Sequence, residues 1–433
     1  MTSIVVRRSR LNGTLRCPSS KSYSHRAIAI SSLADGHSTL AHVLLARDTL
    51  ATIAGCSALG AEIKYDAAEM EIHGRAHFEP PENVINAENS GTTIRLLTAM
   101  SGLVRTGYTV LTGDESLRTR PMQPLLVALQ QLGVETYSTK GNGTPPIIVK
   151  GGGIKGGTTD VDAGISSQFV SALLLTSVYA DSETMLKVRG NLVSKPYVTA
   201  TLATMKHFGV SVDHSPNMLE YYVKNARYRS AKFDVPSDFS TAALILAAGA
   251  LAGEKVRVTG LNFEMPQGDS RILEILKEMG SVIKVDEGEG EVTITSVNRL
   301  EGGDFNLSDT PDLLPVVSIL ALKAASPVTI TGVAHARVKE TDRISNIAAE
   351  LLKFGADIKE FRDGLRITAP PVMRNASLEA HNDHRLFMAF TIASMMTEKS
   401  MVAGAQSVDV SYPNFISDMK SIGGIIAPAP DRE

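Results

Sequence analysis

Read for apolar and polar positions, the chain falls into six stretches with one rhythm. In each, an amphipathic helix ends on an apolar residue and a glycine, and a short strand follows. The stretches are ATIAGCSALGAEIKYD, LLVALQQLGVETYS, TLATMKHFGVSVDH, ILEILKEMGSVIKVD, IAAELLKFGADIKEF and FISDMKSIGGIIAP. Their glycines, Gly60, Gly133, Gly209, Gly280, Gly355 and Gly423, stand 68–76 residues apart. A steady period along a whole chain marks a repeat architecture. The residue before each glycine is Leu59, Leu132, Phe208, Met279, Phe354 or Ile422. Three residues earlier stands Cys56, Leu129, Met205, Leu276, Leu351 or Met419. That spacing puts both on one helix face, turned to a core. The glycine falls where a left-handed C-cap is expected. Three residues on, Ile63, Val212, Ile283, Ile358 or Ile426 is the expected first inward strand position, with Thr136 the exception.

A second helix and strand precede each of these stretches. The segments open at SKSYSHRA, SGTTIRLL, SSQFVSAL, SDFSTAAL, DTPDLLPV and NDHRLFMA. Each begins with Ser, Asp or Asn, the preferred N-cap residues, then runs into a nearly all-apolar helix. Such a helix is buried on every side. The unit is therefore strand–helix–strand–helix–strand–strand, six times over. Length alone, at ~150 residues per domain, suggests three domains; the period replaces that with six smaller units in the 433 residues.

Composition fits an ordinary globular chain, with 43% hydrophobic and 21% charged residues, which excludes extended disorder. With 35 glycines, no tryptophan and 5% aromatics, the core must be small and aliphatic. There are 43 Lys and Arg against 46 Asp and Glu, so the net charge is −3, unlike a basic nucleic-acid binder. Cys17 and Cys56 are too few for a disulfide framework or a structural zinc site. One bridge between them is possible; two inert thiols in a reducing compartment is the expectation. The opening MTSIVVRRSR is too short in apolar residues for a signal-peptide core. The stretch 163–180 carries too many Ser, Thr and Gln for a membrane span. A soluble, cytoplasmic protein is expected.

The openings of the buried helices carry the chemistry. They hold Lys21, Ser22 and Arg26; Gly91, Thr92 and Arg95; Ser166, Ser167 and Gln168; Ser237 and Asp238; Asp309 and Asp312; and Asp383, His384 and Arg385. Helix starts attract anions through free N–H groups and the macrodipole. Lys21, Arg26 and Arg385 oppose that dipole, which suggests that a bound anion compensates them. Ser237 and Asp238 read as plain caps. More cations lie in loops: Arg118 and Arg120, Lys195 beside Ser194 and Tyr197, and the run ARVKETDRI with Arg337, Lys339, Glu340, Asp342 and Arg343. That last run reads equally as a solvated helix start. His381, Asp383 and His384 are a weak candidate for a metal site. The run GGGIKGG lacks the ending of a phosphate loop and reads as a turn.

The runs PSSKSYSHRA, NSGTTIRLL, LRTRPM, SSQFVSALL, VSKPY, DTPDLLP, RVKETDRI and NDHRL, in this order along nearly the whole chain, resemble the 5-enolpyruvylshikimate-3-phosphate synthase family. The resemblance implies an α/β (α+β) fold of six βαβαββ units in two domains, a two-domain inverse α/β barrel. Residues 20–235 would carry repeats 1–3. Residues 1–19 plus 236–433 would carry repeats 4–6 and the N-terminal strand, with the active site in the cleft between the domains. It implies transfer of the enolpyruvyl group of phosphoenolpyruvate to the 5-hydroxyl of shikimate 3-phosphate, by addition and elimination through a tetrahedral ketal. The expected partners are these small molecules, with no cofactor, metal, nucleic acid or membrane, in a monomer.

By that resemblance, Lys21, Gly91, Arg120, Arg343 and Arg385 hold phosphoenolpyruvate. Lys21, Ser22, Arg26, Ser166, Ser167, Gln168, Ser194, Tyr197, Asp312, His335 and Lys339 contact shikimate 3-phosphate. Asp312 is the candidate base, Glu340 and Lys21 are candidates for the proton delivered to the methylene, and His384 assists. The planar fork of Arg suits carboxylate and phosphate, and at Gly91 a side chain would crowd a ligand lying on the backbone. Two departures stand out: Val410 occupies a position where the family carries lysine, and His335 one that is often Asn. The nearest rival, UDP-N-acetylglucosamine enolpyruvyl transferase, usually has a cysteine in the loop matching 113–121, and none is present here. A non-catalytic repeat scaffold is the rival of another class; it predicts no buried cations at helix starts.

Overall fold

The computed structural model describes residues 2–66, 69–75 and 78–430. The chain divides into two compact units, Met1–Pro18 with Ser237–Glu433 and Ser19–Pro236. In the second, three repeats supply the helix pairs α1 (Lys21–Leu33) and α2 (Arg47–Ala58), α3 (Gly91–Ser101) and α4 (Gln123–Gln131), and α5 (Gln168–Ser177) and α6 (Lys195–His207). In the first lie α7 (Phe239–Ala252) and α8 (Ile272–Glu278), α9 (Leu314–Leu320) and α10 (Arg343–Lys353), and α11 (His384–Ser394) and α12 (Phe415–Ser421).

Among the described residues each repeat builds one four-stranded sheet, and the plan is the same six times. In one of them Ile85–Asn86 pairs in parallel with Tyr108–Thr112, which pairs antiparallel with Ile147–Lys150, which pairs antiparallel with Thr136–Ser138. Three repeats are completed from a distance. Lys232–Asp234 provides the first strand beside Gly36–Ala41. Ser3–Arg7 fills the inner place between Lys399–Ala403 and Ile425–Pro428. Leu11–Arg16 opens the fourth repeat beside Gly253–Thr259.

The helix-terminal glycines explain the period. All six have positive φ, from 75° to 107°, which glycine adopts without a Cβ penalty. The twelve apolar residues before them are buried, none above 2% exposed. The strand after the glycine differs from the sequence reading. It is the edge strand of every sheet, so Ile63, Ile283 and Ile358 are only half-buried, as is Val212 just before its strand, while Thr136 and Ile426 are buried.

The first helix of each repeat is the inner one. From Phe239 to Leu251 every residue of α7 is buried, as is every residue of α11. The capping expectation holds for four of the six. Ser20, Ser90, Asp238 and Asp383 accept from backbone N–H groups two or three residues on. In the last two the cap is the Asp and not the segment's first residue. The α5 helix starts without a side-chain cap, and α9 is entered through a 3-10 turn, Pro311–Leu313. Cys17 and Cys56 are free and buried. No described helix is long and apolar enough to cross a membrane.

Candidate functional site

In the unit Ser19–Pro236 the expected residues form two local groups. Arg26 lies in the second turn of α1 and is 2% exposed. Its Nε donates to Thr201 Oγ1 at 2.7 Å, its Nη1 to Ser22 O and Oγ at 2.9 and 2.6 Å, and its Nη2 to Tyr197 O at 2.8 Å. Thr201 passes the link on to Ser171, so α1, α6 and α5 are tied through one guanidinium. Every acceptor is neutral. Burial alone therefore pulls its pKa down, to about 10. Lys21, on the first turn of α1, goes elsewhere: its Nζ meets Asp48 Oδ2 at 2.9 Å. Asp48 opens α2, and its carbonyl accepts from Thr93 Oγ1 of α3 at 3.2 Å.

The second group centres on α3 and α5. Gly91 is the first residue of α3. A Cβ there would lie 3.0 Å from Arg120 Nη1 and 3.2 Å from Arg95 Nη1. The crowding expected at Gly91 is thus already present against two guanidinium groups. Arg120 Nη2 donates to Asn89 Oδ1 at 2.8 Å, and Asn89 is itself fixed by Asp114. Arg95 Nη1 donates to Gln168 Oε1 at 2.5 Å and lies over the Phe169 ring, 5.2 Å from its centroid. Gln168 also donates to Thr92 Oγ1 at 2.9 Å, so the starts of α3 and α5 meet. Ser166 Oγ accepts from Gln168 N at 3.3 Å, and Ser167 is buried beside it. Ser194 enters α6 in the left-handed region, φ 55°. Asp48 and Asn89 are missing from the sequence-derived site, and Arg95 is named there only as part of a helix opening, with no ligand assigned. Only Arg95 had a visible signal, one turn on from Gly91.

In the other unit Arg343 is the hub, 1% exposed. Its Nε donates to Asp383 Oδ2 at 2.7 Å, its Nη1 to Asp312 Oδ1 at 2.9 Å and its Nη2 to Glu340 Oε2 at 2.7 Å. Arg385 Nη2 reaches the other oxygen of Asp312 at 3.0 Å. Asp383 caps α11 through the N–H groups of Arg385 and Leu386, at 2.8 and 3.3 Å. The starts of α10 and α11 and the turn before α9 are thus joined by one ion network. Burial depresses the Arg343 pKa, but Asp383, Glu340 and Asp312 outweigh it and hold it above the ordinary arginine value. Burial likewise pushes Asp312 upward, and Arg385, Lys339 and Arg343 overcome it, holding that carboxyl well below the usual range.

Asp269, absent from the sequence reading, is buried and accepts from the Ser240 hydroxyl. Burial and the charge of Asp312 push its pKa up to about 7. Burial and Lys339 bring His335 down to about 4, so its ring is neutral at ordinary pH. His384 is buried at the first position of α11. Val410 is buried in a 3-10 turn, Ala405–Val410. The run ARVKETDRI divides its labour. Arg337 binds Asp342, Ser345, Glu360, Phe361 O and Arg362 O, a structural tie. Asp342 caps α10, and Glu340 and Arg343 join the network. Of the metal candidates, His381 goes to Glu350 and Asp383 to Arg343.

The family profile described as EPSP synthase (3-phosphoshikimate 1-carboxyvinyltransferase) matches residues 5–419. A protein named 3-phosphoshikimate 1-carboxyvinyltransferase from Nitrosopumilus maritimus is 44% identical over 98% of this chain and 99% of its own. One of the same name from Methanothermobacter thermautotrophicus is 43% identical over 98% and 99%. The solved EPSP synthase of Acinetobacter baumannii superposes with a TM-score of 0.83 at 27% identity, over 99% of this chain and 100% of its own.

Proposed function

Since the chain belongs to the EPSP synthase (3-phosphoshikimate 1-carboxyvinyltransferase) family, we propose that it moves the enolpyruvyl group of phosphoenolpyruvate to the 5-hydroxyl of shikimate 3-phosphate, releasing phosphate. The observation that carries the reading is Arg26, a buried guanidinium held, among the described residues, only by neutral oxygens. A buried cation without a counter-charge is costly, and an anionic substrate supplies that charge. We propose that the residues of both units act together on one pair of substrates.

Ser22, Arg26, Ser166, Ser167, Gln168, Ser194, Tyr197, His335 and Lys339 take shikimate 3-phosphate. Lys21, Gly91, Arg120, Arg343 and Arg385 take phosphoenolpyruvate. The hydroxyl oxygen attacks C2 of phosphoenolpyruvate while Asp312 accepts the hydroxyl proton, and Glu340 or Lys21 delivers a proton to C3. The ketal then loses phosphate and a C3 proton. Asp312 is weakly basic at rest because Arg385, Lys339 and Arg343 hold it ionised. Substrate anions on those cations cancel part of their field and bring its basicity toward the range a general base needs. His384, buried at the first position of α11, assists nearby. We also propose a cytoplasmic monomer, which suits two free buried thiols.

Phosphate release with both substrates is the test. Turnover with shikimate 3-phosphate is expected. Turnover only with UDP-N-acetylglucosamine as acceptor would overturn the reading.

A further inference from the structure

Glu350 is a buried carboxylate that the proposed reaction does not use. It lies on α10, seven residues and two turns after Arg343, and is 2% exposed. Its Oε2 accepts from the backbone N–H of Glu379 at 3.0 Å, and its Oε1 lies 3.1 Å from His381 Nε2. Lys353, one turn on, bonds both oxygens at 2.8 and 2.7 Å. Four contacts offset the desolvation of this charge, which a buried carboxylate requires.

The segment it grips is unusual. His381 and Asn382 are consecutive non-glycine residues at φ 51° and 58°. Left-handed backbone costs a residue with a Cβ about 1 kcal/mol or more and persists only where the surroundings enforce it. The next residue is Asp383, which caps α11, holds Arg343 and precedes Arg385. One helix therefore clasps this turn at two points: its first residue binds Asp383, and Glu350 binds Glu379 N and His381. The Glu379 side chain adds a bond to His381 N at 3.2 Å.

We propose that Glu350 and His381 form a latch that holds the strained turn 380–383 and so positions Asp383 and Arg385. Glu350 is a positioning residue: it touches neither substrate, and it acts through the turn. This rests on the proposed function only for which substrate feels the loss, since Arg343 and Arg385 are there assigned to phosphoenolpyruvate.

The test is Glu350→Gln, with His381→Ala as a second variant that leaves α10 intact. In both, KM for phosphoenolpyruvate is expected to rise about tenfold while KM for shikimate 3-phosphate stays within about twofold. General destabilisation would only reduce the active fraction, lowering kcat with both KM values unchanged, and that result would overturn the latch. Hydrogen exchange needs no activity. The amides of Arg385 and Leu386, bonded to Asp383, should exchange about tenfold faster in both variants, with the remainder of α11 unchanged. Unaltered exchange there sinks the latch even if the enzyme proves inactive on these substrates. Faster exchange with no wild-type turnover keeps the latch and removes the proposed function.

Discussion

Arg26 and Arg343 are both buried arginines among helix starts, one in each unit, and their surroundings are opposite. Arg26 is held by hydroxyl and carbonyl oxygens, and its pKa falls to about 10. Arg343 is held by three carboxylates, and its pKa rises. The first arrangement is short of negative charge and gains it when an anion arrives. The second is balanced in itself, so an incoming anion must share cations with Asp312, Glu340 and Asp383. On the proposed reading, the unit of Arg26 acts as an anion receptor. The other keeps Asp312 ionised through its cations, and on the same reading holds it in place for proton transfer.

The same substitution in both units separates the two designs. Arg343→Met takes the shared cation from Asp383, Glu340 and Asp312, of which Asp312 keeps Arg385. Removing one partner of such a network costs about 3–5 kcal/mol, which urea unfolding should show as a large drop in midpoint. Arg26→Met removes a cation that has no counter-charge and leaves neutral acceptors behind, at a cost of about 1 kcal/mol. Equal losses would erase the contrast. The Arg26 variant should instead fail in binding, with affinity for shikimate 3-phosphate reduced about 100-fold by titration calorimetry, since a buried charge-assisted contact is lost. Retained affinity would show that Arg26 is only a tie between α1 and α6.

The sign of pH dependence gives a smaller test within the balanced unit. Asp269 has a raised pKa, so its protonated form favours the fold. That contribution is present below the ordinary carboxylate range and is lost as pH climbs through about 7. Asp312 is depressed, so its contribution is present above the ordinary range and is lost only in strong acid. Between these limits the Asp269 contribution to stability should fall by about 3 kcal/mol from pH ~4 to ~7. Asp269→Asn should flatten that slope in urea titrations at a series of pH values. An unchanged slope would place the responsible group elsewhere.

The sequence made the repeat visible because each copy needs one left-handed residue after its outer helix, and glycine marks it. It also made visible the residues that sit in compact runs, such as Glu340 and Arg343, or Asp383 and Arg385. What it hid has a common cause. Asp48, Asn89, Asp269 and Glu350 are single polar residues in otherwise ordinary elements, and their partners are supplied from other repeats or from beyond a turn. Asp48 matters because α1 brings Lys21 to it, and Asp269 because Ser240 and Asp312 lie close. The half-buried Ile63 and Ile283 were hidden for a related reason. Alternation assigns a face, but only sheet order makes their strand an edge. The strand Lys232–Asp234 closing the first repeat, far from it along the chain, is likewise a fact of topology.

The receptor unit also depends on fit, and Gly91 gives the mildest test of that. It opens α3 without a positive φ, so alanine is compatible with the backbone and favoured in a helix by about 1 kcal/mol. The added Cβ would meet Arg120 Nη1 at 3.0 Å and Arg95 Nη1 at 3.2 Å. Both are far ends of flexible side chains, and a shift of a few tenths of an ångström relieves the contact. Gly91→Ala should therefore leave the unfolding midpoint nearly unchanged. Yet Arg120 is held at one Nη by Asn89, so the shift rotates the donors it offers. KM for phosphoenolpyruvate should rise about fivefold, roughly 1 kcal/mol, with KM for shikimate 3-phosphate unaffected. If stability fell while KM held, Gly91 would be there for packing alone, and the unit would owe its selectivity to charge and not to the placement of its guanidinium groups.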